Sequence, residues 1–206
     1  MKVLTRILFW VLLIGGGVWG LLYLTIMEPW AVPSTDPQLL TSVQPNIFAD
    51  DYLILSRHND AQVGWVVRCA DPDAPGLFVL ARVVARMGET VDIQKGQVRV
   101  DNRNPLAPTR CDPPKMTVRS PVSQQDVELD CSNEELGATT HQVLRGETAE
   151  KDTHTVVDAN KVFLISDNRP MHLDSRDFGQ LSVNTCQHVL FRLWSSQENH
   201  RFSLIW

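Results

Sequence analysis

From Ile7 to Met27 the chain runs without a charged residue. About 21 residues rising roughly 1.5 Å each span ~31 Å, close to the thickness of a bilayer's hydrocarbon layer. The pattern predicts one transmembrane helix, with Trp10, Trp19 and Tyr23 toward its interfaces. Lys2 and Arg6 precede the run and Glu28 follows it. The positive-inside rule then predicts a cytoplasmic N-terminus and an external chain beyond Trp30. The run is too long for the apolar part of a cleaved signal peptide, and no A-x-A site follows it. Gly15, Gly16, Gly17 and Gly20 suit close helix packing, as in a dimer.

Beyond the anchor the pattern changes to short apolar runs. Trp30 to Pro45, rich in Pro, Ser and Thr, reads as a linker. Tyr52–Ser56, Val63–Arg68 and Leu77–Arg86 read as strands. Val91 to Asp101 alternates apolar and polar around Gly96, the pattern of a hairpin. Residues 104–152 are polar, hold five prolines from Pro105 to Pro121, and read as an inserted β-rich lobe. Thr155–Ile165 returns to the core, and Val189–Trp194 and Phe202–Trp206 close it as a pair of strands. No βαβ alternation is visible, so the expected fold is all-β and antiparallel rather than a parallel α/β sheet. The expected organisation is a cytoplasmic stub at 1–6, an anchor at 7–27, a core at 28–103 and 153–206, and the lobe at 104–152.

The 206 residues, 43% hydrophobic, suffice for one medium domain with an insertion. A net charge of −5 gives no support to a nucleic-acid partner. Four cysteines fit an oxidising compartment. Cys111 and Cys131 share the lobe and are expected to pair; Cys69 and Cys186 lie in separate core segments and are expected to be free. No C-x-x-C spacing occurs, so no metal or other cofactor is expected. His58, His141, His154, His188 and His200 show no partner pattern and read as surface residues.

The candidate chemistry sits just after the apolar run Val162–Ile165, in Ser166-Asp167-Asn168-Arg169 and Leu173-Asp174-Ser175-Arg176-Asp177-Phe178-Gly179. On charges alone this is a turn in which arginine forks meet carboxylates. The order of residues says more. It resembles the "GDNR…DSR…G" box of bacterial signal peptidase I, a membrane-bound serine endopeptidase with a Ser-Lys dyad. Two further boxes of that family are matched in order. Ser42-Val43-Gln44-Pro45-Asn46-Ile47, ending at Asp50-Asp51, follows S-M-x-P-T-L-x-x-G-D. Ala81-Arg82 through Gly88-Glu89 follows K-R-x-x-G-x-P-G-D. Leu136-Gly137-Ala138-Thr139-Thr140-His141 also resembles part of the extra lobe of the larger bacterial enzymes. The resemblance implies an antiparallel β-sheet signal peptidase-type domain behind one N-terminal transmembrane helix. Its catalytic face would lie at the outer surface of the inner (cytoplasmic) membrane. Signal peptides or membrane-anchored preproteins would bind there as an added strand. The bilayer and a membrane protein are the other expected partners.

The resemblance fails where the chemistry is. Ser42 stands at the nucleophile position, but the general-base lysine is Ala81, and a methyl group accepts no proton. The family's oxyanion serine is Leu40, and the serine that bonds the lysine is His172. Asp50 and Val43 replace the glycine and methionine of the first box. Several changes at one site read as divergence. Two outcomes remain open: a protease with a relocated Ser42–His172 dyad, or a pseudoenzyme that binds peptide or protein at the membrane. Val32-Pro33-Ser34 resembles the tripeptide that precedes the family's nucleophile, which makes Ser34 the second candidate serine.

Overall fold

The computed structural model describes residues 2–94, 97–146, 152–195 and 202–205. Helix α1 (Lys2–Thr25) starts and ends slightly earlier than expected for the anchor. Its side chains are exposed over nearly the whole length, and an 18-residue stretch of it has a mean hydropathy of 2.1. Apolar side chains facing outward along a helix of this length are what a bilayer solvates.

The presumed linker is structured. Residues Met27–Ala31 form β1, and Pro37–Ser42 form a short helix, α2. Proline and serine misled the reading because they are also helix-start residues. Asp36 is the N-cap, its Oδ1 accepting from Leu39 N at 3.0 Å, and Pro37 opens the first turn.

The remaining elements are β2 (Tyr52–Asn59), β3 (Val66–Ala70), β4 (Phe78–Arg86), β5 (Thr90–Gln94), β6 (Gln97–Val100), β7 (Leu106–Arg119), β8 (Asp126–Leu136), β9 (Thr139–Arg145), β10 (Thr153–Val156), β11 (Lys161–Ile165), α3 (Ser175–Phe178), β12 (Leu181–Ser182) and β13 (Cys186–Trp194). The main sheet runs β1-β2-β13-β3-β4-β11-β12, and two three-stranded sheets run β10-β5-β6 and β7-β8-β9. The paired strands are antiparallel throughout, so the all-β expectation holds. Gly96, the expected hairpin turn, and Trp206 lie outside the described residues. The last segment forms a single bridge, Arg192 to Ser203, rather than a strand.

Strand β4 is the spine. Val79, Leu80, Ala81, Val83, Val84 and Ala85 are all buried, with alternate residues feeding different clusters. Leu80 joins Leu39, Val43, Ile47, Leu53 and Leu55 on one face. Ala81 and Val83 join Val67, Val162 and Leu164 on the other.

Both cysteine pairs are bridged. Cys111–Cys131 closes the expected lobe disulfide. Cys69 and Cys186, expected free, are also bonded. The correction follows from topology: β13 returns between β2 and β3 and sets Cys186 directly opposite Cys69. In the chain-entropy model a bridge 117 residues apart stabilises by roughly 5 kcal/mol and one 20 apart by roughly 3 kcal/mol. Two histidines also leave the surface. His141 is buried in the core, and His188 is half-buried, stacked on Trp65 at 3.6 Å between ring centroids. His58 and His154 are exposed as expected, and His200 lies outside the described residues.

Candidate functional site

The site begins where β11 ends. Its last residue on the β4 ladder, Ile165, faces Arg82, and the chain then turns through Ser166 to Arg169. Arg82 grips Asp167 with two parallel bonds, Nε to Oδ1 and Nη2 to Oδ2, each 2.9 Å. Its Nη1 donates to the Gly64 carbonyl at 2.6 Å. Asn46 adds a donor to Asp167 Oδ2 at 2.7 Å. Burial pushes the Asp167 carboxyl up, but Arg82, His141 and Arg169 outweigh it and hold the group below its ordinary range.

Asp174 repeats the arrangement one turn on. It caps α3, accepts Arg176 Nε at 2.9 Å and Nη2 at 2.7 Å, and takes the Ser166 amide at 2.7 Å. Burial raises its carboxyl, and the Arg176 contacts bring it below the ordinary value. Ser175 Oγ accepts the Leu164 amide at 2.9 Å, which ties α3 to β11. Asp51, from the first box, is fully buried and pairs with Arg192 at 2.9 Å. Asp50, at the family's glycine position, takes φ 61°, a left-handed conformation that aspartate tolerates.

A third set joins the lobe to this box. Glu134 on β8 pairs with Arg169 and, at 2.6 Å, with Arg145. His141 on β9 lies 3.7 Å from Asp167 and 3.9 Å from Glu134 with its side chain fully buried. Burial, then Arg82, pushes the imidazole well below its usual pKa. The main chain follows: Leu144 N donates to Asp167 O at 2.9 Å, and Arg169 N to Leu144 O at 2.9 Å.

The predicted chemical centre is different in kind. Ser42 ends α2 and is fully buried. Its hydroxyl donates to the Leu39 carbonyl at 2.8 Å and faces the Leu80 carbonyl at 3.4 Å. Its own carbonyl accepts the Asn168 amide at 3.0 Å. Val83 bonds Trp65 and Gly64 on the β3 side, so ladder alternation turns the Leu80 main chain to the opposite edge. Ser42 thus occupies the edge of β4 just beyond the end of β11. Leu40, at the oxyanion position, is half-buried against the Leu80 cluster. Ala81 is buried in the apolar cluster on the other face, with Leu173 packed against it. The exposed Ser34 sits in the turn before α2.

His172 is half-buried and shares a 2.9 Å hydrogen bond with Asp177 Oδ2. Among the described residues no hydrogen bond joins it to Ser42. His172, Asp174 and Asp177 place ligand atoms within 4.8 Å of one another. Hydrogen bonding accounts for the cluster, since Asp177 Oδ2 accepts the Asp174 amide at 3.0 Å in a capping box and Asp174 is held by Arg176.

Sequence reasoning named Asn46 and Asp177 only as members of the boxes, read His141 as a surface residue, and missed Glu134. Asp177 had a legible signal, its place three residues after the cap Asp174. The others meet the box through contacts between segments distant in sequence, which no local pattern encodes.

Residues 3–194 match the sequence profile of the family described as signal peptidase, peptidase S26. The chain belongs to that family. Among solved structures, a signal peptidase I from Enterococcus faecalis V583 is similar over 64% of this chain and 97% of its own, at 18% identity and a TM-score of 0.40. No curated protein matches significantly.

Proposed function

We propose that this S26 member is membrane-anchored through α1 and does not cleave, but holds apolar segments of exported or membrane-anchored proteins at the external membrane face. The observation that carries this reading is Ser42, fully buried, its hydroxyl engaged by the Leu39 carbonyl at a strand edge beside Leu80. Nucleophilic catalysis needs an accessible hydroxyl and a base within reach. The edge of β4 just beyond β11 is taken by the chain's own Ser42, which leaves no room there for an added strand. The retained Arg82–Asp167 and Asp174–Arg176 pairs then serve the scaffold. Loss of even one oxyanion donor, as at Leu40, typically costs about 10²–10³ in rate.

One observation favours the relocated dyad: Asp177 is bonded to His172, as an acid orients a catalytic imidazole. Incubation of a preprotein with the purified full chain, followed on a gel, separates the two. No cleavage product is expected with the natural chain or with Ser42→Ala. Cleavage abolished by both Ser42→Ala and His172→Ala would establish the dyad and overturn the non-cleaving reading. Cleavage that survives both would move the nucleophile to Ser34.

A further inference from the structure

The closed β4 edge leaves open where an apolar segment would sit. A groove of about 790 Å³ lies between the start of α2, the tip of the β7–β8 hairpin and the box loop at Pro170–His172. Its apolar lining comes from three separate pieces of chain: Pro121 and Val122 at the hairpin tip, Val127 and Leu129 on β8, and Met171 in the loop. Val122 is 92% exposed, the highest value among large apolar side chains of the described residues. A valine at a turn tip with no cover satisfies no folding requirement, since turns favour polar residues. At the floor, Gly146 lets the β9 end approach Leu129 and Pro170; an added Cβ would lie 2.8 Å and 3.1 Å from their side chains.

The groove's charge is one-sided. Its acidic lining residues are Asp36 and Glu128, and no lysine or arginine lines it. Asp36 spends one oxygen on the α2 cap, and Glu128 gives one oxygen, at 2.6 Å, to the exposed Lys115. His172 brings Asp177 with it.

Building on the peptide-holding function above, we infer that this groove is the peptide-binding site, and that it takes an extended apolar segment flanked by lysine or arginine. The peptide then lies at the junction of lobe, α2 and box loop. Proline and glycine walls keep the backbone approach open, apolar side chains of the guest cover Val122 and Met171, and a cation meets Asp36 and Glu128.

The test uses the full chain in nanodiscs and an array of short fluorescent peptides with valine and leucine centres, flanked by Lys or by Glu, read by anisotropy against empty nanodiscs. Saturable binding of Lys-flanked peptides is expected, roughly tenfold weaker with Val122→Asp, while Glu128→Lys removes the preference for Lys over Glu. Both side chains are exposed, so unchanged thermal unfolding is expected to confirm that each variant folds. Binding that neither variant alters overturns the groove and leaves the peptide-holding function standing. Absence of saturable binding by any Lys-flanked peptide overturns both. A dimer of the natural chain that Val122→Asp dissolves would give the groove to a second copy and also overturn the assignment.

Discussion

Arg82 and Ala81 are neighbours on β4, yet they turn into two regions of opposite chemistry. Arg82 turns toward an ionic network in which Asp167 and the Gly64 carbonyl accept from its three nitrogens, while Asn46 donates to the same Asp167 carboxylate. Ala81 turns into an apolar cluster where the family carries a lysine. The difference separates two jobs that one box usually does together. A buried ion pair cannot lose one partner without leaving a charge uncompensated, so the scaffold keeps both. A buried lysine is itself a cost to the fold, with its pKa driven down by desolvation. An alanine at this position avoids that cost, and Leu173 packs against the cluster that holds it.

The largest effect should come from breaking the scaffold side. Arg82→Ala strands Asp167 in the core and should cost about 3–5 kcal/mol in denaturant unfolding of the full chain in detergent. A loss below about 1 kcal/mol would mean that the network is dispensable and the contrast with Ala81 illusory.

Ala81→Lys attacks the other side. In an otherwise intact site, the restored lysine would recover some cleavage. The packing argues otherwise, because the methyl sits among Val67, Val83 and Leu164 and the nucleophile is closed. The variant should unfold more easily by about 1–3 kcal/mol from overpacking, more at lower pH as the amine seeks its proton, and yield no preprotein cleavage. Recovered cleavage would show that Ser42 opens readily.

Acid should reveal the buried groups. His188 is pushed down to about 4 by burial, with Asp60 opposing, and His141 lies well below its ordinary value. Such groups stay neutral in the fold and take up protons on unfolding. Stability should therefore be full above pH 6.5 or so and fall as pH drops toward 4. Below that, Asp167 and Asp174, both depressed, begin to lose their pairs. Unfolding midpoints measured against pH check the sign, and His188→Gln should flatten the upper part of the slope.

Much of the fold was legible because its signals are local: the uncharged run of the anchor, the β4 run, the 91–101 alternation and the box itself. What escaped was set by neighbours distant in sequence. Cys186 pairs with Cys69 because β13 inserts between β2 and β3, and His141 is buried because the lobe folds back on Asp167. At the site, the positions of Ser42 and Ala81 could be read, but not that Pro37–Ser42 is helical and carries Ser42 into the core.

The smallest expected effect lies at the centre itself. In an active serine peptidase the nucleophile's hydroxyl is exposed to substrate, and its removal abolishes turnover with little effect on folding. Here the hydroxyl serves the fold, donating to Leu39 and facing Leu80. Ser42→Ala should therefore lower stability by about 1 kcal/mol, the net worth of a buried hydrogen bond, and leave peptide binding in the groove unchanged. Unfolding of the Ser42→Ala and Ser42→Cys chains, beside the natural one, gives the measurement. If Ser42→Ala is neutral in stability but abolishes a cleavage activity, the serine is a nucleophile after all, and the two regions of β4 differ less than their packing says.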